Sequence, residues 1–311
     1  MKFVVTGGAG FIGSHIAKFL VKNNHEVLII DNLIRGTLNN IDEIKDDVEF
    51  HKVDISNYSE IDAVVDSADG IFHEAALASV PQSFKEPERY QEVNAIGSEN
   101  IFKLGEKHNA KIVFASTSSV YGDQTKFPVN ENAQTNPLNP YGQSKLEAEK
   151  FASKYAAKGL RVIGLRYFNV FGIGQNPEYA GVIPKFIERI SQNKPPIIEG
   201  DGNNIRSFTF VDDVVQANIL AFQSNVNHEF INIASEDMTS INELAEKMIK
   251  MSGLNLKPIY DEPRKGDIKK SNADISEAKE LLKWDTKITL EEGLKEIFPK
   301  KWLFSNFGSE T

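Results

Sequence analysis

Residues 2–13, KFVVTGGAGFIG, decide the fold. The run Lys2–Val5 is apolar and β-branched, Gly7, Gly8, Gly10 and Gly13 follow, and residues 11–20, FIGSHIAKFL, continue with apolar side chains at helical spacing. A strand that turns through glycines into a helix brings backbone close to a pyrophosphate and aims the helix N-terminus at that anion. The glycines satisfy both GxxGxxG and GxGxxG, patterns that gain their weight from this strand, turn and helix setting. Asp31 closes a second predicted strand, Glu26–Ile30, where a carboxylate accepts hydrogen bonds from the adenine ribose hydroxyls and repels a 2′-phosphate. The segment therefore reads as a dinucleotide site that prefers NAD over NADP, with Arg35 the nearby cation working against that preference.

The same texture continues outward. Lys2–Val5, Glu26–Ile30, Gly70–His73, Lys111–Ala115 and Arg161–Arg166 are predicted as buried strands, and Gly13–Asn23, Tyr58–Val65, Pro87–His108 and Tyr141–Lys158 as helices. Strands alternating with crossover helices imply a doubly wound α/β domain, a parallel Rossmann sheet covered on both faces. After Phe168 the chain is richer in Gly, Pro and Asn; the sheet pattern is expected to return at Phe208–Phe222 and Phe230–Ala234. Residues 236–311 read as helix-rich, most clearly at Ile241–Met251 and Ile275–Leu282. The expected division is a cofactor-binding domain, 1–174 and 207–235, and a smaller discontinuous α/β domain, 175–206 and 236–311, over the carboxyl ends of the strands.

Composition narrows the function classes. The 311 residues suffice for a large core, and a net charge of −9 argues against broad nucleic-acid binding, which depends on Lys and Arg neutralising phosphates. With no cysteine, disulfides, thiolate nucleophiles and Cys-ligated zinc are excluded, and the six histidines show no ligand spacing, so no metal is expected. No stretch of about 18 apolar residues suggests a membrane span. The first residues read as strand and turn rather than a signal peptide, which makes the cytoplasm the expected location.

Chemistry enters at PYGQSKLEAEK, residues 140–150. Tyr141 and Lys145 are four residues apart and share one face of a helix. An ammonium held near a phenol favours the phenolate, lowering the tyrosine pKa from about 10 toward the range of a useful base.

Together, TGGAGFIG, the HEAA of residues 73–76, STSSVYG at 116–122 and YGQSK resemble the extended short-chain dehydrogenase/reductase family, the nucleotide-sugar epimerases and dehydratases. LRYFNVFG (165–172), GVIPKF (181–186), GDGNNIRSFTFVDD (200–213) and RKGDIKKSNAD (264–274) extend the resemblance over nearly the whole chain. It implies that Thr117 bridges substrate and Tyr141, that Tyr141 is the base, and that Lys145 also binds the nicotinamide ribose. It further implies cofactor contacts from Phe11, Ile12 and Asn32, from Asp54 and Ile55 at adenine, and from Ala75, Ala76, Asn94 and Ser116. Asn169, Arg206 and Arg264 match positions that hold a sugar-nucleotide diphosphate, work suited to the planar arginine fork. Val182 and Phe186 would flank uracil, Asp267 the nucleotide ribose, and Ser79 the sugar.

The resemblance also implies a shared first step: Tyr141 takes a proton from the sugar 4-hydroxyl while the C4 hydride passes to NAD. Dehydratases of the family carry Asp-Glu before VYG, and decarboxylases typically carry Glu at the second position; this chain has Ser118–Ser119. A hydroxyl is a poor general base at neutral pH without help. The simplest remaining fate is return of the hydride to the other face of the keto sugar, a redox-neutral 4-epimerisation. Ser271 falls where enzymes restricted to non-acetylated sugars have a tyrosine, so UDP-GlcNAc/UDP-GalNAc are the expected substrates, with UDP-Glc/UDP-Gal as well. The Ala78–Ser83 loop resembles the UDP-N-acetylglucosamine 4-epimerases. The alternatives are a dehydratase, decarboxylase or UDP-uronate epimerase, or a non-catalytic NAD-sensing protein. By family analogy the helices Pro87–His108 and Tyr141–Lys158 would pair in a homodimer, although their apolar residues equally suit packing on their own sheet.

Overall fold

The computed structural model describes residues 1–175, 181–263 and 270–298. Its first half alternates as expected: β1 (Lys2–Thr6), α1 (Phe11–Lys22), β2 (Glu26–Ile30), β3 (Val48–His51), α2 (Tyr58–Val64) and β4 (Gly70–His73). Two short helices, α3 (Val80–Ser83) and α4 (Pro87–Tyr90), lead through the π-helical segment Gln91–Ile96 into α5 (Gly97–His108). Then come β5 (Lys111–Thr117), α6 (Pro140–Ala156), β6 (Val162–Tyr167) and β7 (Val170–Phe171).

The remaining elements are α7 (Val182–Ser191), β8 (Ile197–Glu199), β9 (Ile205–Ser207), β10 (Thr209–Phe210), α8 (Val211–Gln223) and β11 (His228–Ile233). The chain finishes with β12 (Met238–Ser240), α9 (Ile241–Ser252), β13 (Ile259–Asp261), β14 (Lys270–Ser271) and α10 (Leu290–Ile297).

The central sheet has seven strands in the order β11-β6-β5-β4-β1-β2-β3, and every pairing is parallel. All seven residues of β5 and all six of β6 are buried, as befits central strands covered on both faces. The order reverses between β1 and β4, whose following connections leave for opposite faces. That divergence opens a crevice at the strand carboxyl ends, where open α/β sheets bind ligands.

Two differences from the sequence reading have clear causes. Phe208–Phe222 is not a return of the sheet: Thr209–Phe210 pairs with β7, and Val211–Gln223 is the helix α8. Its valines have strand propensity, but Val211, Val214, Val215 and Asn218 recur at helical spacing and are buried, so packing overrides propensity. The edge strand β3 carries no strand signal in the sequence because half-buried and exposed residues replace the expected apolar run.

Three apolar cores organise the chain. One on each sheet face is built around α1 and α8 on one side and α5 and α6 on the other. The third joins Phe186, Phe208, Phe210, Leu244, Met248 and Leu294 in the elements beyond the sheet. Ile275, Ala278, Leu282 and Trp284, from the stretch assigned by sequence to the smaller domain, belong instead to the sheet core, where Trp284 Nε1 donates to Asp213 O at 2.8 Å.

Candidate active site

A cleft of about 1160 Å³ lies over the crevice, bounded by the carboxyl ends of the sheet and by α7, β8 and β9. Its size exceeds the usual range of roughly 300–1,000 Å³ for a single ligand pocket.

On one side are the glycines. Gly7 has φ +68°, and a Cβ there would stand 2.6 Å from the Ala75 amide nitrogen; a Cβ on Gly13 would run into the Gly7 carbonyl. These positions admit only glycine because backbone packs against backbone. Gly10 is the α1 N-cap and supplies no side-chain cap, and the first turn carries no acid, so the helix N-terminus opens on the cleft with its first amides uncapped by a side chain. Asp31 is held by the amides of Ala9 at 3.0 Å and Leu33 at 2.8 Å. Burial pushes its carboxyl up, while those backbone amides oppose the shift. The bare helix end and the fixed carboxylate fit a dinucleotide carrying free ribose hydroxyls.

Phe11, Ile12, Asn32, Ile55, Ala75, Ala76 and Ser116 also line the cleft. Asp54 stands one step behind it: burial pushes its carboxyl up, but Ser56, Asn32 and Arg89 outweigh this and hold it low. Asn94 is also behind the wall, fully buried, its side chain exchanging hydrogen bonds with the Leu77 backbone and reaching Ser144 Oγ at 3.0 Å. The structure thus gives Asn94 a wall-building role and does not bring it among the cleft residues.

The chemistry sits at the centre. Asn139 caps α6 by accepting from the Gly142 amide at 2.8 Å, and Pro140 occupies the first turn. Tyr141 and Lys145 then lie one turn apart and both line the cleft with Thr117, which follows Ser116 at the end of β5. The expected lowering of the phenol pKa is not met in this structure. Burial raises Tyr141 above its ordinary value, outweighing the Thr117 hydrogen bond that favours the phenolate. Burial also pushes the Lys145 ammonium down to about 8, against the pull of Glu74 and Glu149. Lys145 Nζ has no hydrogen-bond partner among the described residues, a donor poised for a ligand group.

Around this pair the wall is firmly tied. His73 bonds Thr6 Oγ1 at 2.6 Å and Ser98 Oγ at 2.9 Å, and burial followed by the Lys145 charge keeps its imidazole neutral. Tyr90 lies edge-on to Tyr141 and donates to Ser79 O at 2.7 Å. Sequence reasoning assigned no role to Glu74, although its acid within the apolar run GIFHEAAL was a visible signal. It lines the cleft, accepts from Tyr167 Oη at 2.9 Å, and burial pushes its carboxyl up to about 8.

Of the other expected contacts, Ser79, Asn169, Val182, Phe186 and Arg206 line the far side of the cleft. Asn169, at φ +33°, donates to Ser207 O at 3.0 Å, tying the end of β6 to β9. Ser271 is half-buried and is the register neighbour of Arg206 in the β9/β14 pair, one strand back from the cleft lining. Arg264 and Asp267 lie outside the described residues. No group of three or more potential metal-ligating side chains occurs among the described residues. None of their helices is long and apolar enough to cross a membrane.

Residues 3–234 match the family model of the NAD dependent epimerase/dehydratase family. The chain belongs to this family. Its cofactor is accordingly NAD, in agreement with the glycine turn and Asp31. A putative UDP-glucose 4-epimerase of Methanocaldococcus jannaschii is 40% identical over 309 residues, covering 97% of this chain and 98% of that protein. A UDP-N-acetyl-α-D-glucosaminuronate decarboxylase of Bacillus cytotoxicus is 35% identical, covering 94% and 95%. The solved structure of a UDP-N-acetylglucosamine 4-epimerase from Methanobrevibacter ruminantium, in complex with UDP-N-acetylmuramic acid, superposes with a TM-score of 0.91 at 37% identity, covering 98% of both chains.

Proposed function

We propose that the protein is a UDP-hexose 4-epimerase that interconverts UDP-GlcNAc with UDP-GalNAc, and UDP-Glc with UDP-Gal. The observation that carries this reading is the content of the cleft beside the base: Thr117, Tyr141 and Lys145 converge there, and Ser118 and Ser119 stand where elimination or decarboxylation would call for carboxylic acids. Bound NAD supplies a reversible hydride acceptor. Thr117 and Tyr141 hold the sugar 4-hydroxyl, Tyr141 accepts its proton as the 4-keto sugar forms, and Tyr141 returns that proton when the hydroxyl is rebuilt on the other face. Lys145 steadies the phenolate and holds the nicotinamide ribose.

Gly7, Gly10, Gly13 and Asp31 hold the dinucleotide. Arg206 and Asn169, with Arg264 and Asp267, hold the sugar nucleotide, Val182 and Phe186 flank its base, and the short side chain of Ser271 leaves room for an acetamido group. Residues 1–174 and 207–235 form the cofactor-binding domain, with Ile275, Ala278, Leu282 and Trp284 packed into its core, and the rest of 175–206 and 236–311 form the sugar-nucleotide domain. The protein works as a cytoplasmic homodimer through α5 and α6. Product analysis by NMR on UDP-GlcNAc and UDP-glucuronate in parallel tests the reading: C4 inversion of the acetylated hexose supports it, whereas loss of carbon dioxide or water, or turnover of the uronate alone, overturns it.

A further inference from the structure

Glu74 stands at the point where the strand order reverses. It follows β4 directly, its backbone amide donates to Thr6 O at the end of β1, and its side chain faces the cleft. The carboxylate is not loose there. Tyr167 Oη donates to Glu74 Oε1 at 2.9 Å, and Asn218 Nδ2 from α8 donates to Tyr167 Oη at 2.8 Å while also bonding Val214 O. Tyr167 is buried and so is Asn218, so a relay of two side chains, one from β6 and one from α8, fixes one acid beside the reacting pair.

The groups facing this acid are few. From α6 come Lys145 and Tyr141, both electrostatically coupled to Glu74. Glu149, one turn further along α6, also acts on Lys145 but is itself bound to Arg166 and Ser116. From β6 comes Tyr167; behind the pair stand neutral His73 of β4, which feels the Lys145 charge, and Tyr90 of α4, which acts on Tyr141. Lys145 has no hydrogen-bonded counter-ion among the described residues. Glu74 is therefore the cleft-lining acid whose charge bears on both members of the pair.

We propose that Glu74, held by Tyr167 and Asn218, is a positioning residue whose charge sets the pH range in which the Tyr141–Lys145 pair works. The inference rests on the proposed function only in taking Tyr141 as the base. An ionised Glu74 favours the lysine ammonium and disfavours the phenolate, so it raises the pH at which each gives up its proton; neutralising Glu74 lowers both. Because the groups are coupled, the observable pKa values belong to the cluster rather than to single residues.

The experiment compares wild-type holoenzyme with Glu74→Gln, which keeps an acceptor for Tyr167 and removes only the charge. Two readings are taken: the pH profile of kcat/KM for UDP-GlcNAc, and the phenolate absorbance titration, with Tyr141→Phe in each background isolating the Tyr141 signal. Because burial holds the Glu74 carboxyl up to about 8, its charge is present only above that pH, so the alkaline limb and the Tyr141 titration are expected to move to lower pH while the acid limb, reached with Glu74 already neutral, stays in place. A purely structural Glu74 would change the amount of active protein but leave the alkaline limb and the titration unmoved, and that result, or a move to higher pH, overturns the proposal. Tyr167→Phe, which removes the donor that favours the ionised carboxyl, should give a smaller displacement in the same direction and serves if Glu74→Gln fails to fold. Absence of epimerisation by the wild type with a displaced Tyr141 titration would sink the functional reading and leave this one standing.

Discussion

Arg166 and Glu149 form a buried two-pronged ion pair, Nε to Oε1 at 2.9 Å and Nη2 to Oε2 at 2.8 Å, with Ser116 Oγ donating to the same Oε1 at 2.6 Å. The remaining guanidinium nitrogen, Nη1, donates to Tyr121 Oη at 2.9 Å, which in turn donates to Asn232. This network ties α6, which carries Tyr141 and Lys145, to β5, which ends in Thr117. Removing one partner strands a charge away from water, a loss of about 3–5 kcal/mol. Glu149→Ala is expected to lower the unfolding free energy by that order, read as a lower denaturant midpoint at unchanged slope, and Glu149→Gln, which keeps an acceptor, by less. An unchanged midpoint in the alanine variant would mean the pair does not organise the site.

The base assignment predicts a loss confined to chemistry. Tyr141→Phe removes the proton acceptor while keeping the ring that packs on Tyr90, so kcat should drop by about 10²–10⁴ with little change in stability. Turnover within a few-fold of wild type would remove Tyr141 from its role.

For sugar choice, Ser271→Tyr fills the space beside Arg206 where the acetamido group is expected. UDP-GlcNAc turnover should fall by tenfold or more, about the effect of one lost pocket contact, while UDP-Glc turnover is largely kept. Equal effects on both sugars would show that Ser271 does not select between them.

Stability should depend on pH through Glu131. Burial pushes its carboxyl up to about 7, above the unfolded value near 4.5, even though it accepts the Asn232 amide at 2.8 Å. A carboxyl with a raised folded pKa stabilises the fold fully below the unfolded value, and that contribution is lost as pH rises through the folded one. Glu131→Gln keeps the acceptor without the charge, so its melting temperature should gain on wild type between pH 5 and pH 8. A difference that stays constant over that range would contradict the shift.

The sequence exposed the parts that obey local rules. The glycine turn, the strands β1, β2, β4, β5 and β6, and the one-turn spacing of Tyr141 and Lys145 were all legible because period and turn chemistry fix them locally. The protonation of that pair was not legible. Burial of Tyr141 and Lys145 is a property of the assembled cleft, and it opposes the simple pairing argument. The same holds for Glu74, whose partner Tyr167 is 93 residues away, with Tyr167's own partner Asn218 a further 51 along the chain. Helix α8 was hidden in the sequence by its valines, whose strand propensity is overridden by the packing of Val211, Val214 and Val215.

As proposed, one cleft oxidises and re-reduces the same sugar carbon with a cofactor that stays bound. The most direct test supplies UDP-GlcNAc deuterated at C4 to extensively dialysed protein without added NAD and follows the sugar by NMR. UDP-GalNAc with the deuterium still at C4 is the expected product. No conversion until NAD is added, or product carrying solvent hydrogen at C4, would contradict the proposal.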